Sequence, residues 1–307
     1  MSKYDLSKWR GVFPAVTTQF EVDGSINYDA TQKVIDGLIN DGVHGLVFMG
    51  TVGENNSLRS EEKIKVLESA VEATAGRAFT ITGVSDYDAP RASEYAQAAE
   101  KAGVDGLMVL PAMVYMPTEA ELDTHLRTVS QSTDLPVMIY NNPTSYRLNM
   151  SVEAIAGLMD VENIVAYKES AEDSRRFTDI YNAIGDRLVL FAGLDDLALE
   201  GLILGAKGWV SGLTNAFPRE SVALYDLVQR GEIAKALEIY RWFMPLLHLD
   251  AQADLVQCIK LSEQVMGRGS ENVRAPRQIL AGEARTNVIK MVETARDTRP
   301  DLDALLA

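Results

Sequence analysis

A short apolar run followed by a segment of helical periodicity recurs eight times along the first two-thirds of the chain. The runs cover residues 12–16, 45–49, 79–84, 106–110, 136–140, 164–167, 188–192 and 208–210. Amphipathic stretches such as 30–39, 60–73 and 90–102 lie between most of them. Runs that are hydrophobic throughout belong to strands covered on both faces, and strands alternating with helices pair in parallel. Gly42, Gly103 and Gly185 fall just after predicted helices, where a left-handed C-terminal cap favours glycine. Eight units within about 200 residues suit a closed (β/α)8 barrel, the TIM barrel of the α/β class, better than an open doubly wound sheet. The open sheet is the alternative, and no GxGxxG fingerprint follows the first run to favour it.

After residue 210 the strand rhythm stops. Residues 219–229, 232–247, 254–266 and 286–295 read as helices, with a loop at 267–277 that holds Gly267, Gly269 and Pro276. The expected organisation is a barrel over 1–217 and an all-helical extension over 218–307 packed on it as one structural unit. A chain of 307 residues with a 47% hydrophobic share can fill one large core. The net charge of −15 argues against nucleic acid and anionic membranes as partners, while leaving room for a small anionic substrate at a local cradle. The single cysteine, Cys258, excludes an internal disulfide, and its apolar flank marks a buried, inert thiol. Residues 1–10 lack the apolar core of a signal peptide and no stretch approaches a membrane span, so the expected compartment is the cytoplasm.

In a barrel the C-terminal strand ends converge on one mouth. Lys168 follows the sixth run, just before Glu169-Ser170. An ammonium held there in a partly dry pocket loses hydration, its pKa falls, and the free amine can attack a carbonyl to form a Schiff base; the alternative is a rim lysine reaching to solvent. The second run leads into Gly50-Thr51-Val52-Gly53-Glu54-Asn55, a turn whose backbone N–H groups can hold a carboxylate, or whose Thr51 and Asn55 only satisfy local backbone. The fifth run ends in Tyr140-Asn141-Asn142-Pro143, where a phenol could relay protons or be an ordinary strand tyrosine whose hydroxyl is satisfied. The seventh leads to Gly193-Leu194-Asp195-Asp196, with Asp195 read as an N-cap of the next helix. The eighth run ends at Val210, before the polar turn 211–215. His44, His125 and His248 share no ligand spacing, and neither HExxH, paired CxxC nor a Walker loop occurs, so no metal or other cofactor is expected.

Taken together, GTVGE at 50–54, YNNP at 140–143 and YKES at 167–170 carry a resemblance. The chain resembles the dihydrodipicolinate synthase/N-acetylneuraminate lyase superfamily of Schiff-base (β/α)8 enzymes, from Gly11-Val12-Phe13-Pro14-Ala15 to the helical C-terminus. The resemblance implies Lys168 as nucleophile and Tyr140 as proton shuttle. It implies Gly50, Thr51, Val52 and Val210 as substrate-binding residues, with Asn142, Tyr115 and Ser145 as further candidates. It also implies a small 2-oxo or imino acid as substrate and a homo-oligomer, tetramer or dimer. Three departures separate the chain from the synthase pattern. Val52 stands where the synthase has a second hydroxyl, a lost hydrogen bond worth ~0.5–1.5 kcal/mol. Ala112 and Met113 replace a relaying tyrosine pair, and Ser145 replaces an arginine for the second substrate's carboxylate; Arg147 stands nearby, but compensation from that shifted position is not an expectation.

Within the superfamily, GTVGEN, YNNP, the run 240–249 and the stretch 254–260 look like 1-pyrroline-4-hydroxy-2-carboxylate deaminase. The implied reaction yields 2,5-dioxopentanoate and ammonia in hydroxyproline catabolism. The alternatives are a 2-keto-3-deoxy sugar acid dehydratase or aldolase, dihydrodipicolinate synthase itself, or a non-catalytic barrel that senses a 2-oxo acid.

Overall fold

Runs rich in Val, Ile, Leu and Phe without polar alternation are stable as strands only when both faces are covered. The computed structural model, which describes residues 3–111 and 115–307, buries nearly all of their side chains. The runs form β1 (Gly11–Pro14), β2 (Gly45–Phe48), β3 (Phe79–Val84), β4 (Gly106–Val109), β5 (Val137–Asn141), β6 (Ile164–Glu169), β7 (Val189–Ala192) and β8 (Gly208–Ser211). They pair in parallel in the order β1-β8-β7-β6-β5-β4-β3-β2. A parallel bridge between Ala15 and Val47 closes the sheet, and the Val16 N–H donates to the Val47 carbonyl at 2.9 Å. The fold is a (β/α)8 barrel with a C-terminal helical extension. One difference from the sequence reading matters: β6 continues through Lys168 and Glu169, so the lysine sits inside the strand.

The barrel floor is sealed by aromatic side chains. Trp9 meets Phe79 with ring centroids 5.2 Å apart, and Phe13 meets Phe191 at 5.2 Å. Glycines at the strand starts make room for them. A Cβ at Gly45 would stand 2.6 Å from the Phe13 ring, and one at Gly208 would stand 2.2 Å from Phe191. With the floor filled, an open cavity can form only at the opposite end.

The extension contains the helices Pro218–Gln229, Ile233–Leu247, Leu255–Val265, Gly282–Asp297 and Leu302–Leu306. The last is absent from the sequence reading because its five residues are too few to show a period; the Asp301 side chain caps it by accepting from the Ala304 N–H. Leu224, Ile239, Phe243, Ile259 and Val292 are fully buried. Cys258 is buried in the helix Leu255–Val265, and burial pushes its thiol up to about 12. In the same helix Lys260 forms a fully buried ion pair with Glu54 at 2.8 Å and donates to the Thr18 carbonyl at 2.8 Å. The extension is thereby tied to the loop that follows β2.

Candidate active site

Strand periodicity places the lysine. Ala166 faces the barrel interior and Tyr167 the helices, so Lys168 returns to the interior. Tyr140 occupies the neighbouring register position on β5 and also points inward. The Lys168 Nζ therefore lies 4.1 Å from the centroid of the Tyr140 ring. Burial lowers the Lys168 pKa to about 8, an effect partly opposed by the carboxylates of Asp250 and Asp195. At neutral pH about a tenth of such molecules carry the free amine. Room for the lysine comes from Gly193 after β7, where a Cβ would stand 2.0 Å from Ser170 Oγ and 2.8 Å from Lys168 Cε.

The Tyr140 hydroxyl accepts from Asn142 Nδ2 at 2.8 Å, and burial pushes its pKa up to about 12. Asn142 in turn accepts from the Ser145 N–H at 2.8 Å, capping the short helix Pro143–Tyr146. That helix brings Tyr146 edge-on to Tyr140, ring centroids 5.7 Å apart. The Tyr146 hydroxyl lies 2.7 Å from Thr51 Oγ1. A Thr51–Tyr146 pair and an adjacent Tyr140 thus stand beside the amine. Among the described residues, the N–H groups of Thr51 and Val52 donate to no protein acceptor, as an anion cradle requires. Asn55 serves the backbone: it donates to the Met49 carbonyl at 2.7 Å, fixing Met49 at φ 51.

These groups surround a cavity of about 430 Å³. Lys168, Tyr140, Gly50, Thr51, Val52, Val210, Asn142 and Ser145 all line it. Tyr115 does not: it is 53% exposed and lines a separate depression with Tyr87 and His125. Ala112 and Met113 lie outside the described residues. Arg147 is exposed and caps the helix Pro143–Tyr146 at φ 57, so it does not stand in for the missing arginine. Asp195 is no N-cap. It is buried and accepts from Trp209 Nε1 at 2.9 Å, Ser211 Oγ at 3.1 Å and the Leu213 N–H at 2.9 Å, which ties the turn after β7 to β8. Its carboxyl is pushed well up by burial and by Asp250. Among the described residues no group of His, Cys, Asp and Glu could hold a metal ion.

Sequence reasoning missed Asp250, Arg277 and the role of Tyr146. The first two reach the cavity from the extension, 82 and 109 positions beyond Lys168, and no local pattern marks them. Arg277 Nη1 lies 3.7 Å from Glu54 and donates to Ser57 Oγ at 2.9 Å, placing a guanidinium at the cavity edge.

Comparison with known proteins places the chain among relatives. The model of the Dihydrodipicolinate synthetase family matches residues 8–295. A 4-hydroxy-tetrahydrodipicolinate synthase of Methanococcus maripaludis is 32% identical over 283 residues, covering 92% of this chain and 96% of that one. The crystal structure of dihydrodipicolinate synthase from Aquifex aeolicus superimposes with a TM-score of 0.90 at 29% identity, covering 94% of this chain and 98% of that one. A prophage protein of the dihydrodipicolinic acid synthase family from E. coli K12, solved in complex with pyruvate, gives a TM-score of 0.88 at 26% identity, covering 94% and 99%.

Proposed function

The chain belongs to the dihydrodipicolinate synthetase family, and from that premise we propose that it is a lyase forming a Schiff base between Lys168 and a small 2-oxo or cyclic 2-imino acid. The carrying observation is the buried amine of Lys168, its pKa lowered to about 8, in a cavity that also holds Tyr140. The pyruvate complex of the E. coli relative supports a 2-oxo acid as the substrate class. The substrate carboxylate would sit on the Thr51 and Val52 N–H groups. A homo-oligomer in the cytoplasm completes the reading; sedimentation tests the assembly.

For the particular reaction we infer the deamination of 1-pyrroline-4-hydroxy-2-carboxylate. Lys168 attacks the ring C=N carbon and opens the ring by transimination, releasing the ring nitrogen as a primary amine. Tyr140 moves a proton from the neighbouring carbon, forming the enamine. The 4-hydroxyl then leaves as water. Tautomerisation carries the unsaturation to the carbon bearing the amine, and hydrolysis frees ammonia and 2,5-dioxopentanoate. This route needs no second carboxylate-bearing substrate, in keeping with Ser145 where the synthases carry an arginine and with Arg147 turned to solvent.

A second reading, dihydrodipicolinate synthase, is favoured by the names of the curated relatives and by Arg277, a guanidinium that lines the cavity from a different position. Incubation with hydroxypyrroline carboxylate, following ammonia and 2,5-dioxopentanoate, decides between them when run beside pyruvate plus aspartate semialdehyde. Ammonia release that disappears in Lys168→Ala supports the deaminase. Condensation without ammonia release moves the assignment to the synthase.

A further inference from the structure

The extension does more than brace the barrel, because it sends one acidic side chain into the lysine cavity. Asp250 lies in the turn His248–Ala251, between the helices Ile233–Leu247 and Leu255–Val265. Its Oδ1 rests over the end of β8, where Gly212 leaves the space: a Cβ there would stand 2.2 Å from Oδ1. The Asp195 backbone N–H favours its charged form. Among the described residues Lys168 forms no ion pair, so Asp250 stands more than 4.0 Å from its Nζ while still sensing its charge.

We propose that Asp250 is the specificity-determining acid of this cavity: it receives the hydrogen-bond-donating far end of the substrate, a hydroxyl or an imine N–H, and turns away a second carboxylate. The proposal rests on the Schiff-base reading of Lys168 and agrees with the deaminase rather than the synthase, whose second substrate would bring a further carboxylate into the cavity. A carboxylate at the far end would meet Asp250 and, behind it, Asp196, and like charges there are costly. A hydroxyl finds an acceptor or, when Asp250 is protonated, an acid. Burial and the charge of Asp196 raise the Asp250 pKa, while the Lys168 ammonium opposes them. The other titratable groups on this side are His248, bonded to Asp196 at 2.9 Å, Tyr240 with Glu200, Tyr140, and Arg277 at the cavity edge, where Ser57 and Glu54 hold its guanidinium.

The acid step balances. In the enamine the nitrogen pair forms the C=N bond, and the enamine pair forms a new C=C bond to the carbon bearing the hydroxyl. The C–O pair departs with oxygen, and the Asp250 proton makes it water. The carboxylate left behind faces the iminium cation just formed, and solvent reprotonates it before the next turnover.

The test is borohydride trapping of 2-oxo acids on Lys168, read by mass spectrometry, in the unaltered protein and in Asp250→Asn. Pyruvate should be trapped by both. The rate of pyruvate trapping against pH should show its acid limb displaced to lower pH in Asp250→Asn, because a neighbouring carboxylate that favours the ammonium is gone. The unaltered protein should trap 4-hydroxy-2-oxopentanoate in preference to 2-oxoglutarate, and the variant should lose that preference. Release of 2-oxopent-3-enoate from the hydroxy acid, followed by ultraviolet absorbance, should fall about 10²-fold in the variant. An adduct with unchanged limb, preference and elimination rate in Asp250→Asn overturns the role of Asp250 alone. No adduct on the unaltered protein overturns the Schiff-base reading and this inference with it.

Discussion

Two opposing effects govern the amine of Lys168. Burial favours the neutral form and lowers its pKa to about 8, while Asp250 and Asp195 favour the ammonium. On the proposed Schiff-base reading the reactive species is the free amine, so kcat/KM should climb with pH and level off above about 8, which a pH–rate profile at fixed ionic strength reads. The same shift has a stability consequence of fixed sign. A lysine whose folded pKa lies below its unfolded value of about 10.4 binds fewer protons when folded, so its burial destabilises the fold fully below pH 8 and progressively less up to that unfolded value. Lys168→Met, which keeps the stem and removes the charge, should therefore abolish turnover while raising the melting temperature at pH 7. A lower melting temperature in that variant would contradict the burial cost. Tyr140→Phe should keep the fold and lower kcat by about 10²-fold, the usual effect of losing a positioned proton carrier. The motifs around 51, 140 and 168 marked these residues in the sequence because each ends an apolar run. Tyr146 carries no such mark, since a short helix alone swings its hydroxyl to Thr51.

Among the elements, the strand ends carry the demands of the site. Gly193 follows β7 with no space for a side chain beside Ser170 and Lys168. Gly193→Ala should cost about 1–3 kcal/mol in urea denaturation, the range for overpacking, and should lower activity more than stability because Lys168 Cε must shift. The loop after β2 and the helix Leu255–Val265 are joined by the buried Lys260–Glu54 pair. Lys260→Met leaves Glu54 without its nearest cation and should destabilise the fold by about 3–5 kcal/mol, measured as a lowered denaturation midpoint at unchanged slope. Strands and long helices were legible at this scale because period and composition are local properties. The short helix Leu302–Leu306 and the true role of Asp195 were not. Only folding brings Trp209, Ser211 and Leu213 round that carboxylate.

In the whole molecule, barrel and extension share one core. Ile239 and Phe243 of the extension are fully buried, and Leu255, Val256, Asp250 and Arg277 complete the cavity wall. We therefore expect a fragment ending at residue 217 to lose cooperative thermal unfolding and to bind hydrophobic dyes. A fragment that melts sharply would show instead that the barrel folds alone.

What the sequence determined by itself is what repeats or is local: eight parallel strands, the helices between them, the helical extension, and the lysine and tyrosine at strand ends. Periodicity records which face of each element is buried, and a strand's end lies near the point where its apolar run stops, although β6 runs on through Lys168 and Glu169. What only the tertiary structure decided is which distant groups meet those strand ends. Asp250 and Arg277 enter the cavity because the extension folds back over the barrel mouth, and Tyr115 stays outside it although it follows a strand. The reason is physical: backbone hydrogen bonding and hydrophobic period act over a few residues, whereas the field around Lys168 sums over whatever packing brings near, regardless of separation along the chain.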